Sequence, residues 1–121
     1  MKLNTVFTIN AIILLINGLM ALFNTQMFFE MANLEPNAGT ITIGQFMGTT
    51  FVFLAILSWR TQQVAGSAIN AMGQLWALGG LLWAAIIGFH VVTGAAGGPT
   101  ALVNLGVTSV LAVLFFISSR K

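Results

Sequence analysis

Cysteine and tyrosine are absent from this 121-residue chain, histidine occurs once, proline twice, and only six side chains carry a formal charge. The lack of cysteine excludes disulfides, thiolate metal sites, Fe–S clusters and thiol redox chemistry together. With two acids and one histidine, no paired carboxylates, phosphate loop or nucleophile and base pair can be assembled, so no enzymatic activity is expected. The pI of about 10.0 rests on a net charge of +2. That is not the clustered Lys and Arg that bind nucleic acid, and no nucleic-acid partner is expected.

Scarcity of charge also decides the solvent. Hydrophobic residues make up 58% of the chain and charged residues 5%, and the mean hydropathy is +0.99. Such a surface cannot be wetted on all sides, so the composition predicts an integral membrane protein. A span takes about 20 apolar residues. The apolar runs place four, at about 5–23, 41–59, 68–92 and 101–117, which leaves a single domain of short connections over residues 1–121. The basic start at Lys2 and the first run could be mistaken for a signal peptide. No small-x-small cleavage pattern follows, and the run reads as a retained span whose helix continues through Phe28 and Phe29.

The expected fold is all-α, an antiparallel four-helix transmembrane bundle. Its orientation comes from the six charges. Lys2, Arg60, Arg120 and Lys121 lie at alternate ends of the spans, whereas Glu30 and Glu35 share another gap. Cytoplasmic loops are enriched in Lys and Arg, so both termini are expected in the cytoplasm, with a bacterial cytoplasmic (inner) membrane as host. Trp59 and Arg60 together form an interfacial anchor. Pro36 and the Asn37-Ala38-Gly39-Thr40 stretch read as a turn before the second span. Gln62, Gln63, Gly66 and Ser67 read as the inner connection, and Gly94 to Thr100 as a flexible outer turn.

Asn10, Asn17 and Asn24 recur every seven residues and form one stripe on the first span. Amides in hydrocarbon need partners, and they commonly hydrogen-bond to a neighbouring helix. Gln45, Thr49 and Thr50, Gln74, and Asn104, Thr108 and Ser109 are the candidate partners. Two readings remain open: a stripe that holds the first span in its bundle, or a polar path along Asn10, Asn17, Gln45 and Gln74. Gly44 and Gly48 in the second span, and Gly73, Ala77, Gly80, Ala84 and Gly88 in the third, form small-x-x-x-small faces suited to close helix contact. They serve packing within the bundle or contact with another chain. Trp76 and Trp83, seven apart, make a packing or lipid-facing ridge.

His90, near the outer end of the third span, could ligate a haem or chlorophyll-type pigment, relay a proton, or sit at the interface beside Phe89. Ile86 stands four residues before it, where a tetrapyrrole ring would want a small side chain. No cofactor other than bound lipid is otherwise expected. The spans hold no clear acidic or basic residue, unlike proton-coupled pumps, in which intramembrane charge marks the site.

A 60-residue shift lays Ile69-Asn70-Ala71 over Ile9-Asn10-Ala11, Ser118 over Ser58 and Arg120 over Arg60, the pattern of a duplicated two-helix hairpin. At Gly44-Gln45-Phe46-Met47-Gly48, with Trp59-Arg60 closing the same span, the chain resembles small bacterial four-span proteins of the DoxX-like kind and related families of unknown function. The resemblance covers the first three spans and implies a four-helix membrane bundle, with no catalytic residue carried over. Packing features outnumber chemical ones, which predicts a non-catalytic accessory subunit of a respiratory, photosynthetic or transport assembly. Its partners would be membrane lipids and either other membrane subunits or itself. A small oligomeric transporter or channel using the polar path is the alternative.

Overall fold

The computed structural model describes residues 1–120 and is all-α; Lys121, expected with the cytoplasmic cations, lies outside the described residues. Its helices are α1 (Leu3–Phe23), the short α2 (Thr25–Glu30), α3 (Ala38–Val64), α4 (Ile69–Val92, entered through a 3-10 turn over Gly66–Ala68) and α5 (Gly98–Ser118). Four of these are long and apolar enough to cross a membrane. At 1.5 Å per residue α1 is about 31 Å long and α3 about 40 Å, against a hydrocarbon thickness of about 30 Å.

The helix boundaries follow local chemistry. The first helix does not run on to Phe29. It breaks at Asn24, whose φ −124°, ψ 46° lies outside the helical region, and restarts so that Phe28 and Phe29 fold back and bury beside Ala21. Asn37 ends the loop between α2 and α3 as a capping box. Its side chain accepts from the Thr40 amide at 3.0 Å, while its own amide donates to Thr40 Oγ1 at 2.9 Å. Those bonds satisfy orphan donors of the first turn, which is why α3 starts at Ala38 rather than Ile41. At its other end α3 continues beyond Trp59 to Val64, so Gln62 and Gln63 belong to the helix and the connection to α4 is correspondingly tighter.

The helices pack as two antiparallel pairs, α1 with α3 and α4 with α5, joined mainly where α1 meets α5. Glycine sets both crossings. A Cβ on Gly48 would lie 2.7 Å from the Leu22 amide nitrogen and 2.8 Å from the Gly18 carbonyl oxygen, and one on Gly18 would meet Val52 at 2.9 Å. In the second pair a Cβ on Gly80 would meet Ala112 Cβ at 3.1 Å, with the Thr108 carbonyl oxygen 3.7 Å away. Thr108 and Ala112 are Gly48 and Val52 shifted by 60 residues, whereas Gly80 corresponds to Met20 and not to Gly18, so the second hairpin crosses two residues off the register of the first.

Two features tie the pairs together. At the end that carries the termini, Phe7, Trp76 and Phe115 form an aromatic knot. The Phe7 and Phe115 rings meet edge to face at 4.9 Å, and Trp76 stacks on Phe115 at 6.1 Å. The termini themselves touch: Ser118 Oγ donates to the Met1 carbonyl at 3.1 Å. At the opposite end the two loops, one before α3 and one before α5, clasp, Gly97 donating to the Ala32 carbonyl at 2.9 Å and Thr100 to the Met31 carbonyl at 3.1 Å. Gly98 makes the clasp feasible. Its φ of 72° suits glycine, and a Cβ there would strike the Met31 carbonyl oxygen.

Candidate functional site

Near the end that carries the termini, the polar side chains of α1 are consumed by α3. Asn10 Nδ2 donates to Ser58 Oγ at 3.0 Å, and Ser58 Oγ donates in turn to the Phe7 carbonyl at 2.8 Å. Ser58 is fully buried and Asn10 nearly so. One turn nearer that end Thr8 and Gln62 share two bonds, with Gln62 Nε2 donating to Thr8 Oγ1 at 2.9 Å. This is a chain of neutral, mutually satisfied groups. It holds two helices together and offers no titratable side chain.

The other members of the asparagine stripe do not share that role. Asn17 donates back to the Ile13 carbonyl of its own helix at 3.2 Å, and Asn24 is exposed at the break between α1 and α2. Gln45 is exposed on α3, and Gln74 reaches the Ser119 carbonyl at 3.4 Å. Asn10, Asn17, Gln45 and Gln74 therefore do not converge on one path. Ser58 and Gly18 are the residues that sequence reasoning did not single out. Ser58 is visible in the sequence only through its alignment with Ser118, and Gly18 only as the neighbour of Asn17.

The small-residue faces divide by function. Gly44 is buried beneath the Phe29 ring and Gly48 against the α1 backbone. Gly80 is the contact with α5. Gly88 is looser, since a Cβ there would lie 3.8 Å from Leu105, and Ala84 is partly covered. Trp76 belongs to the aromatic knot. Trp83 meets Phe51 of α3 edge to face at 5.5 Å and remains 42% exposed. Trp59 and Arg60 are exposed at the end of the molecule where the chain termini lie, and Arg60 donates to Gln63 one turn on. His90 is exposed in the last turn of α4, its ring edge-on to Phe89 at 5.3 Å. Among the described residues no group of three or more His, Asp or Glu side chains could hold a metal ion.

Two surfaces remain. One is α4, which buries only Gly73 and Ala77 within the chain. Leu75, Leu78, Leu82 and Ile86 are between 46% and 64% exposed, and Gly79 has open space around a Cβ position. The other is a crevice of about 300 Å³ between α1 and α5 beneath the loop clasp, lined by Ile16, Asn17, Met20, Val103 and Asn104 among others. In comparisons with known proteins, no family model matches the chain, and no curated protein or solved structure matches it.

Proposed function

We propose that the chain is a non-catalytic integral membrane subunit, set in a bacterial-type inner membrane with both termini cytoplasmic, that joins a larger membrane assembly through α4. The observation that carries this reading is how little of α4 its own chain covers. A candidate span that buries only a glycine and an alanine turns most of its surface away from its own bundle. Gly79 adds to it, because a glycine in a helix interior costs about 1 kcal/mol relative to alanine, and here a Cβ would meet nothing within 4 Å among the described residues. In lipid, helices associate through close packing at small residues, and a bare glycine beside leucines offers such a seat.

The orientation rests on the cations. Lys2 and Arg120 lie at the joined termini and Arg60 near the same end of α3, whereas Glu30 and Glu35 lie at the opposite end. The self-satisfied Asn10, Ser58 and Thr8, Gln62 bonds favour helix cohesion over a transport path.

Direct transfer from native membranes into lipid nanodiscs, followed by native mass spectrometry, tests the assembly. A complex heavier than one 12.9 kDa chain is expected. Gly79→Leu is expected to reduce it to the single chain while helicity and melting stay unchanged. A solitary wild-type chain would overturn the reading.

A further inference from the structure

The crevice between α1 and α5 has walls of apolar side chains and, one on each helix, two amides with capacity to spare. The Asn104 side chain makes no hydrogen bond among the described residues. Asn17 makes a single bond, from Nδ2 back to Ile13, which leaves its Oδ1 without a partner. A polar group held in hydrocarbon without a partner is unfavourable, so an occupant that supplies a hydrogen-bonding oxygen is favoured there.

Depth then selects the occupant. Asn17 lies six residues inside the outer end of α1, and Asn104 six residues inside that of α5, which places both about 9 Å along their helices from the outer end. Because α1 is about as long as the hydrocarbon is thick, that level is well below the lipid headgroups. No charged side chain lines the crevice. A phospholipid, anchored by its phosphate at the surface, would have to be drawn inward by that depth with no counter-charge to meet it. A neutral lipid has no such anchor.

We propose that this crevice binds a neutral, headgroup-free lipid bearing a hydroxyl or carbonyl oxygen, with that oxygen at Asn17 and Asn104 and the apolar body leaving through the open side into the bilayer. A volume of about 300 Å³ lies at the small end of ligand sites, enough for the polar end and the first part of a chain. The clasp of Met31 and Thr100 closes the site above. The inference rests on the membrane-spanning reading above, though not on the choice of α4 as partner helix.

The test uses the full chain in nanodiscs with hexadecanol carrying a diazirine, irradiated and mapped by peptide mass spectrometry. Label concentrated on residues 13–20 and 99–107 is expected, displaced by excess unlabelled hexadecanol and not by added phosphatidylglycerol. Asn104→Leu should lower that label about fivefold, the ratio set by one hydrogen bond in hydrocarbon. Val103→Phe, which fills the crevice without touching either amide, should abolish it in a protein of unchanged helicity. Label spread evenly over the exposed faces, or equal displacement by phosphatidylglycerol, would overturn the proposal while leaving membrane insertion intact. No label on any helix would overturn both.

Discussion

Replacing Gly48 by leucine is expected to part α1 from α3 and to unfold the bundle under conditions in which the wild-type chain is stable. The atoms that a side chain would meet are backbone: the Leu22 nitrogen at 2.7 Å, the Gly18 oxygen at 2.8 Å and the Ala21 carbonyl carbon at 3.0 Å. Backbone cannot rotate aside as a side chain can. Inserting atoms into a packed core costs about 1–3 kcal/mol when neighbours can adjust, so alanine at this position falls in that range and leucine above it. The separation would also stretch the Asn10 to Ser58 bond, because both contacts lie on the same helix pair. Titration with a denaturing detergent, read by circular dichroism, gives the measurement. Gly106→Leu is the control: nothing lies within 4 Å of a Cβ there, and its transition is expected to match wild type. A Gly48→Leu transition that also matched would show that the crossing is not set by this glycine.

The second large effect is expected from Phe115→Ala. Phe115 is 1% exposed and joins Phe7 of α1 to Trp76 of α4. In a water-soluble protein such a truncation costs about 3–5 kcal/mol, part of it the transfer of apolar surface from water. Lipid is as apolar as the lost ring, so the transfer part vanishes and only the void remains. A void of roughly 100 Å³ at about 24 cal/mol per Å³ gives about 2 kcal/mol. The consequence is more selective than that of Gly48→Leu. Each hairpin keeps its own glycine crossing, while the two hairpins lose the knot between them. Cross-linking of a cysteine pair placed at Leu3 and Ser119, in a chain that has no other cysteine, should become slower in Phe115→Ala while helicity is retained. An unchanged rate would show that the aromatic knot does not hold the hairpins together at this end.

Much of the architecture was legible in the runs of apolar residues. The four long helices lie where hydropathy puts them because a span is defined by length and apolarity, and both are local properties. The capping role of Asn37 and the break at Asn24 are local as well, but they shift boundaries by a few residues in ways hydropathy does not register. Which helices pair was not legible. Helices that are apolar on every side carry no stripe that says which face turns inward, so the pairing of α1 with α3 and of α4 with α5 exists only in three dimensions. Small residues narrowed the choice, giving Gly48 and Gly80. They could not rank Gly18, whose importance comes from the residue 30 positions away that it faces.

The candidate site was less legible for a related reason. A regular asparagine stripe suggested a common role, whereas the three side chains have three different surroundings: Asn10 is bonded to another helix, Asn17 borders the crevice and Asn24 breaks the helix. Spacing fixes a face of a helix, and neighbours decide what that face does. Asn104 stood only among the possible partners of that stripe. Its distinction, a side-chain amide in a candidate span without a hydrogen bond among the described residues, comes from its surroundings and leaves no trace in the sequence.

The most direct test of α4 as the assembly helix is photo-cross-linking in living cells, with a benzophenone amino acid placed at Leu82 or Ile86 and, for comparison, at Phe53 on α3. All three positions are exposed by 46% or more within the chain, so exposure alone does not separate them. Protein adducts at Leu82 and Ile86, with lipid adducts at Phe53, are the expected result. Lipid adducts at all three would contradict the role given to α4.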